Sequence, residues 1–306
     1  MIIVILGAAG QVGSEVAKAI LCAFSNSECE LPQIVELTRN ELDVSDLSAV
    51  GDMISRIKPH WVVNATAYTA VDMAEEEASK AFLINESVPE RLAIVCQQES
   101  AALIHISTDY VFNGDGHTPY KEEYPVSPLG VYGSSKLAGE IAVQENLQRY
   151  LNVRTAWVFG KNGNNFVKTM LKVSEKRSEL SVVADQIGAP TSAKGIADTV
   201  ACLIISMVDV EPCDSRWGTY HFSGYPYVSW ADFAEEIFKQ GVTKNMISKN
   251  ILVNRITSKE FPTQAKRPLN SRLDCAKISS VFGVEPDDWY QSLSDMLDEL
   301  RESPKS

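Results

Sequence analysis

The stretch from Met1 to Ile20, MIIVILGAAGQVGSEVAKAI, decides the fold. Ile2 to Leu6 form an apolar run rich in β-branched residues, the composition of a buried strand. Gly7, Gly10 and Gly13 follow at once, spaced G-x-x-G-x-x-G, not the commoner G-x-G-x-x-G. Val12, Val16, Ala19 and Ile20 then fall on one face of a helix. Strand, glycine turn and helix in that order predict a dinucleotide site. Gly7 permits the tight turn, Gly10 lets backbone approach a pyrophosphate, Gly13 lets the helix pack closely on the strand, and free N–H groups at the helix start face the phosphates. Gln11 and Val12, between the glycines, join the predicted cofactor-binding set.

Working outward, the strand-like runs IVILG, QIVELT, HWVVNAT, ALIHIST and LNVRTAWVF alternate with amphipathic segments. Such alternation predicts an α/β fold with a parallel sheet covered on both faces by helices. The segment from Glu75 to Glu99 reads as one long helix. After Phe159 the pattern loosens: NGNNFVKTML reads as loop and helix, LSVVADQIGAPTS as strand and Pro-containing loop, AKGIADTVACLIISMV as helix, and GTYHFSG as a short strand. SWADFAEEIFKQ is a clear helix with Ser229 at its N-cap. The last residues, RESPKS, are expected to fray.

Tyr132 and Lys136 stand four residues apart in VYGSSKLAGE, and Thr108 ends the apolar run HIST. On a helix that spacing puts phenol and ammonium on one face, a proton donor with its own electrostatic support. An isolated Y-x-x-x-K is also common on solvated helix faces. Joined to the glycine turn, it points to a carbonyl-reducing site. One cation about 5 Å away at an effective dielectric near 20 is worth roughly 3 kcal/mol, so the phenol is expected to drop by about two pKa units from its usual value near 10.

The chain has 306 residues, enough for about two domains or one large domain with an appended lobe. Its formal charge of −12 argues against nucleic acid as a partner, because phosphate-backbone binding rests on a basic surface. No stretch approaches a membrane span, and the short apolar start lacks a basic n-region and a cleavage site, which predicts a cytoplasmic protein with no membrane partner. Cys22, Cys29, Cys96, Cys202, Cys213 and Cys275 form no C-x-x-C pair, so they are expected to be mostly buried, reduced thiols, and no zinc site is visible. His60, His105, His117 and His221 read as structural.

Eight motifs together carry a resemblance: GAAGQVG at 7–13, NATAYTAVDMAE at 64–75, STDYVF at 107–112, YGSSKLAGE at 132–140, RTAWVFG at 154–160, DQIGAPT at 185–191, SWADFAEEIF at 229–238 and RPLNSRL at 267–273. The chain resembles the dTDP-4-dehydrorhamnose reductases, within the extended short-chain dehydrogenase/reductases, over nearly its whole length. The resemblance implies a Rossmann-type doubly wound parallel sheet with a smaller C-terminal substrate-binding lobe. Residues 1–160 would form the first domain and 161–306 mainly the lobe, with the chain crossing back around 195–222. It further implies reduction of dTDP-4-dehydro-β-L-rhamnose at C4. Tyr132 would give the proton, Lys136 would steady the phenolate and hold the nicotinamide ribose, and Thr108 would orient the carbonyl oxygen. Ala65, Thr66 and Ala67 join the implied cofactor set, with Asp43 and Val44 near the adenine.

For the substrate, the resemblance implies Asp109 and Tyr110 at the sugar, Trp157 against it, Gln186 shaping the cleft, and Arg267 and Asn270 in a late polar loop. Trp157 also reads as a core aromatic, and Arg267 as a solvated arginine. At the tip of the second strand, Glu36 lies inside the run and Thr38 and Arg39 follow it; an arginine there can take a 2′-phosphate, which predicts NADPH used at least as well as NADH. The alternative reading of Arg39 is a solvated loop residue. Some dehydrorhamnose reductases hold magnesium with three glutamates at a dimer interface. The matching positions here are Glu15, Lys194 and Glu299, and a lysine in place of an oxygen ligand disfavours the ion. Magnesium is therefore not expected, Lys194 is expected to pair with a glutamate, and the protein should be a monomer or a metal-independent homodimer. Three rivals stay open: a sugar-nucleotide epimerase or dehydratase, a related nucleotide-deoxysugar 4-ketoreductase, and a non-catalytic NADP-binding module resembling the regulatory subunit of methionine adenosyltransferase.

Overall fold

The computed structural model describes residues 1–302. Its first half runs β1 (Ile2–Leu6), α1 (Gly13–Ser25), β2 (Gln33–Leu37), α2 (Leu47–Ile57), β3 (Trp61–Asn64), α3 (Val71–Ala74), α4 (Ala78–Phe82), α5 (Val88–Gln98), β4 (Ala102–Thr108), α6 (Val131–Asn146) and β5 (Tyr150–Thr155). The second half runs β6 (Val158–Phe159), α7 (Phe166–Ser174), β7 (Glu179–Val183), β8 (Ile187–Gly188), β9 (Thr191–Ser192), α8 (Ala193–Ser206) and β10 (Gly218–His221). It closes with β11 (Gly224–Tyr225), β12 (Val228–Ser229), α9 (Trp230–Thr243), β13 (Leu252–Ile256), α10 (Ala276–Phe282), β14 (Asp287–Asp288) and α11 (Trp289–Glu302).

Six strands pair in the order β10-β5-β4-β3-β1-β2, all parallel. Side chains alternate across the sheet. Ile3 and Ile5 pack against α1 and α8, while Val4 and Leu6 pack on the other face against α2, α5 and α6. Burial on both faces explains why these strands read as unbroken apolar runs. Strand order reverses between β1 and β3, so a crevice opens past their carboxyl ends, the place where such sheets take ligands. A separate core of Phe159, Val167, Phe233, Ile237, Trp289 and Leu293 joins α7, α9 and α11 beside the two-stranded β13-β7 pair.

Four expectations need correction. Glu75 to Glu99 is not one helix: α3 stops at Ala74, and from Ala78 the chain passes through a wide π turn, Leu83–Ser87, before α5. Pro89 has no N–H with which to continue the ordinary ladder, and the widened turn presses the Asn85 carbonyl close to Gly139 of α6. LNVRTAWVF divides into β5 and β6 because Trp157 takes a left-handed backbone, φ 49. Of the cysteines only Cys96 and Cys275 are buried; Cys22, Cys29 and Cys213 are exposed. Arg301 and Glu302 complete α11 and do not fray, and residues 303–306 lie outside the described residues. Ser229 caps α9 with a reciprocal bond to Asp232.

Candidate active site

The crevice at the strand reversal is a groove of about 590 Å³. Gly7 turns there with φ +77, and a Cβ on it would sit 3.0 Å from the Ala65 carbonyl atoms. A Cβ on Gly13 would come within 2.1 Å of the Gly7 oxygen, so α1 can lie this close to β1 only with glycine. Gly7, Gly10, Arg39, Asp43, Val44, Ala65, Thr66 and Ala67 all line the groove. Gln11, Val12 and Gly13 do not. Val12 is buried at the start of α1, and the Gln11 amide oxygen accepts from Asn165 Nδ2 of the lobe at 2.9 Å. Tyr68, Lys80, Leu83 and Ile84 also form its wall, and the sequence offered no local pattern for them. A backbone cradle of this shape fits a dinucleotide, with the glycines admitting phosphates.

Thr108 ends β4, and Tyr132 and Lys136 stand on the first two turns of α6. Gly133 lets α6 approach the Tyr110 carbonyl, where a Cβ would clash at 2.2 Å. Asn85, in the π turn, ties α6 to the loop after β3: its Nδ2 donates to Ser135 Oγ and to the Tyr68 carbonyl, and its Oδ1 accepts from the Tyr68 N–H. The Glu75 carboxylate accepts from the Val131 N–H at the start of α6. Tyr110 meets the Tyr132 ring edge-on, with centroids 5.3 Å apart.

The electrostatics differ from the sequence-based expectation. Lys136 is buried, and its Nζ donates to the Ile106 carbonyl at 2.6 Å and lies 3.3 Å from His105 Nε2. Burial lowers its pKa to about 8 against the opposing charge of Glu140. The Tyr132 ring is half-buried, yet its hydroxyl is so closely surrounded that burial pushes it up to about 12, with the Thr108 hydrogen bond pulling down and the Asp109 charge pushing up. The expected fall of about two units is thus replaced by a rise, because withdrawal from water outweighs a lysine whose amine is directed to β4. A phenol this weak in acidity stays protonated at neutral pH.

Thr108 Oγ1 donates to Asp109 Oδ1 at 3.0 Å and accepts from the Tyr110 N–H. Asp109 is buried, its Oδ2 has no partner, and burial raises it to about 6 despite hydrogen bonds from Ser271 and Thr108. Arg267 Nη2 binds Asp72 Oδ2 at 2.8 Å, and both charges act on Tyr110. Thr108, Asp109, Tyr110, Tyr132, Lys136 and Arg267 are therefore brought together. Gln186 donates to Ser258 Oγ, and the Asn270 amide is used by the Thr118 carbonyl and by Arg272. Trp157 stacks on Trp230 at 3.6 Å, its ring edge against Gly188.

Two features escaped sequence reasoning. His105, which the sequence reads as structural, touches Lys136, and Asp72 faces Arg267. The available signal for the first was a polar residue interrupting each of two buried strands, Asn64 in WVVN and His105 in ALIHIST. Glu15, Lys194 and Glu299 do meet at one small cavity. Lys194 pairs there with Asp198 at 3.0 Å, not with a glutamate, because Asp198 lies one turn along the same helix; Lys161 reaches Glu299 at 3.6 Å. Among the described residues no group of three or more His, Cys, Asp or Glu side chains is arranged to hold a metal ion. Among them, too, no helix is long and apolar enough to cross a membrane.

The family described as RmlD substrate binding domain matches residues 1–302. A dTDP-4-dehydrorhamnose reductase of Aggregatibacter actinomycetemcomitans is 41% identical over 294 residues, 96% of this chain and 97% of that protein. The crystal structure of a dTDP-4-dehydrorhamnose reductase from Clostridium acetobutylicum superposes with a TM-score of 0.87 at 36% identity, covering 98% of this chain and 100% of the other. One from Bacillus anthracis, in complex with NADP, gives 0.83 at 34% identity, covering 97% and 99%.

Proposed function

Because this chain belongs to the RmlD substrate binding domain family, that of the dTDP-4-dehydrorhamnose reductases, we propose that it reduces the C4 keto group of dTDP-4-dehydro-β-L-rhamnose to dTDP-L-rhamnose. The observation that carries this reading is Tyr132 in hydrogen-bonding reach of Thr108, with Lys136 one helical turn further along α6, in a fold whose glycine-turned groove fits a dinucleotide. NADPH, when bound, supplies the hydride. Tyr132, protonated at neutral pH, gives its proton to the oxygen that gains negative charge. The Thr108 hydroxyl orients that oxygen by turning its single proton to it from Asp109 Oδ1, while the Tyr110 N–H keeps hold of Oγ1. The charged form of Lys136 favours the phenolate that Tyr132 becomes and holds the nicotinamide ribose. Arg39, at the tip of β2, favours a 2′-phosphate, so NADPH is used at least as well as NADH.

Arg267 binds the diphosphate by exchanging Asp72 for it; its guanidinium holds that carboxylate through Nη2 alone and keeps a buried Nε–H unpartnered, donors that suit the oxygens of a phosphate. Asp109 and Tyr110 border the sugar, Trp157 forms a wall of its site, and Gln186 and Asn270 hold the loops that frame it. Residues 1–160 with 195–222 serve the cofactor and the remainder mainly the substrate. The protein works in the cytoplasm, without magnesium, as a monomer or a metal-independent homodimer.

The test is a turnover assay with the 4-keto sugar and NADPH. Oxidation of NADPH with formation of dTDP-L-rhamnose is the expected result. Isomerisation of a nucleotide sugar with no net oxidation of cofactor would favour an epimerase, and NADP binding without turnover would favour a regulatory module.

A further inference from the structure

A buried chain of polar groups runs from the cofactor groove to the catalytic lysine. Thr66, on the groove wall, donates to Asn64 Oδ1 through both its N–H (3.1 Å) and its hydroxyl (2.6 Å). A backbone N–H can only donate, so the Asn64 atom facing it is oxygen, and Asn64 Nδ2 is left to face His105 Nδ1 at 3.1 Å. Nδ1 must therefore accept. Neutral imidazole then carries its single proton on Nε2, which faces Lys136 Nζ at 3.3 Å. Asn64 and His105 are adjacent because β3 and β4 pair in register. Both are wholly buried.

An N–H pointed at an amine distinguishes its two protonation states. The neutral amine receives the proton in its lone pair; the ammonium presents a second donor to a donor. We propose that His105 is a positioning residue for the reduction: its Nε2–H, fixed by Thr66 and Asn64, favours the neutral amine of Lys136 and makes that lysine, not Tyr132, the group whose deprotonation closes the alkaline side of the rate profile. The inference rests on the reductase reading above. Other groups facing Lys136 do not supply the same effect. From α6, Tyr132 is uncharged and Glu140 acts in the opposite sense, its carboxylate held by Arg154 at 2.7 Å. From β4 comes the Ile106 carbonyl, which accepts from Nζ, and Asp109, just after β4, carries a negative charge that acts on Tyr132.

Burial acts in the same direction as the histidine, and Lys136 comes to about 8 while Tyr132 comes to about 12. His105 is itself held well below its ordinary value, first by burial and then by Lys136, so it stays neutral wherever the enzyme works. Turnover needs Tyr132 protonated and Lys136 charged. The rate should accordingly fall above about pH 8, and in kcat/KM, which reports groups of the free enzyme, that limb belongs to Lys136.

Two measurements test this. Nitrogen-15 spectra of the imidazole rings, with His105 identified by its loss in His105→Phe, should show a proton on Nε2; a proton on Nδ1 would overturn the proposal. The pH profile of kcat/KM should then separate the variants. Asn64→Leu removes the donor that holds Nδ1 as an acceptor and adds no charge, so the ring can take the Nδ1–H form and give the ammonium a lone pair, and the alkaline limb should rise. His105→Phe should raise it as well. A limb that stays in place while rate or melting temperature falls would mean that His105 only packs. If the enzyme turns over no 4-keto sugar at all, the reductase reading fails, and carbon-13 titration of the Lys136 Cε still decides the histidine: a midpoint raised in Asn64→Leu supports it, an unchanged one refutes it.

Discussion

Asp109→Asn should make the fold more stable at neutral pH while harming the reaction. The wild-type carboxyl is raised from 3.8 to about 6 because it is buried, with one oxygen lacking any partner. A folded pKa above the unfolded one means that the stability of the protonated form is complete below about pH 3.8 and is lost as pH rises through about 6. The shift of about two units corresponds to roughly 3 kcal/mol of stability lost by about pH 8. Asparagine copies the neutral acid, and its Oδ1 can still accept from Thr108, but it places an NH₂ where Oδ2 has no partner. That unpaired donor costs about 1 kcal/mol or more, leaving a gain of about 1–2 kcal/mol near pH 8 that turns into a loss of about 1 kcal/mol near pH 4. Urea unfolding of both proteins at the two pH values measures it. A difference that does not change with pH, or an asparagine variant less stable near pH 8, would refute the reasoning.

Tyr132→Phe should keep the fold and NADP affinity while turnover falls at least about a hundredfold, the usual worth of a general acid; near-native rates would exclude Tyr132 as the donor. Lys136→Met should lower turnover and weaken cofactor binding together, and a loss confined to turnover would remove the ribose role. Arg39→Ala should reduce kcat/KM for NADPH and leave that for NADH nearly unchanged, whereas a wild-type preference for NADH of about tenfold or more would contradict the arginine's assignment. EDTA should change neither activity nor the mass seen by light scattering, and a dimer that dissociates on chelation would show that Lys194 does not abolish the metal site.

The sheet was legible because its demands are local. Gly7 and Gly13 answer to backbone conformation and closeness of approach, both written in spacing, and Tyr132 and Lys136 share a face through helical period alone. What stayed hidden depends on distant neighbours. His105 gains its significance from Asn64, 41 positions away and beside it only through strand pairing, and Arg267 meets Asp72 across 195 positions. The break at Leu83–Ser87 was missed because Phe82 and Leu92 keep a helical rhythm on either side of it, and Pro89 alone gave warning. The rise of the Tyr132 pKa is hidden from the sequence because spacing shows the neighbouring charge of Lys136 but not the burial that outweighs it.

The most direct measurement is a single turnover with NADPH deuterated on the transferring face of the nicotinamide, followed by nuclear magnetic resonance of the product sugar. Hydride transfer to the carbonyl carbon with proton delivery from Tyr132 is expected to place deuterium at C4 of dTDP-L-rhamnose in wild type, and to form almost none in Tyr132→Phe. Product with no label at C4, or no product from a folded, NADP-binding protein, would contradict it.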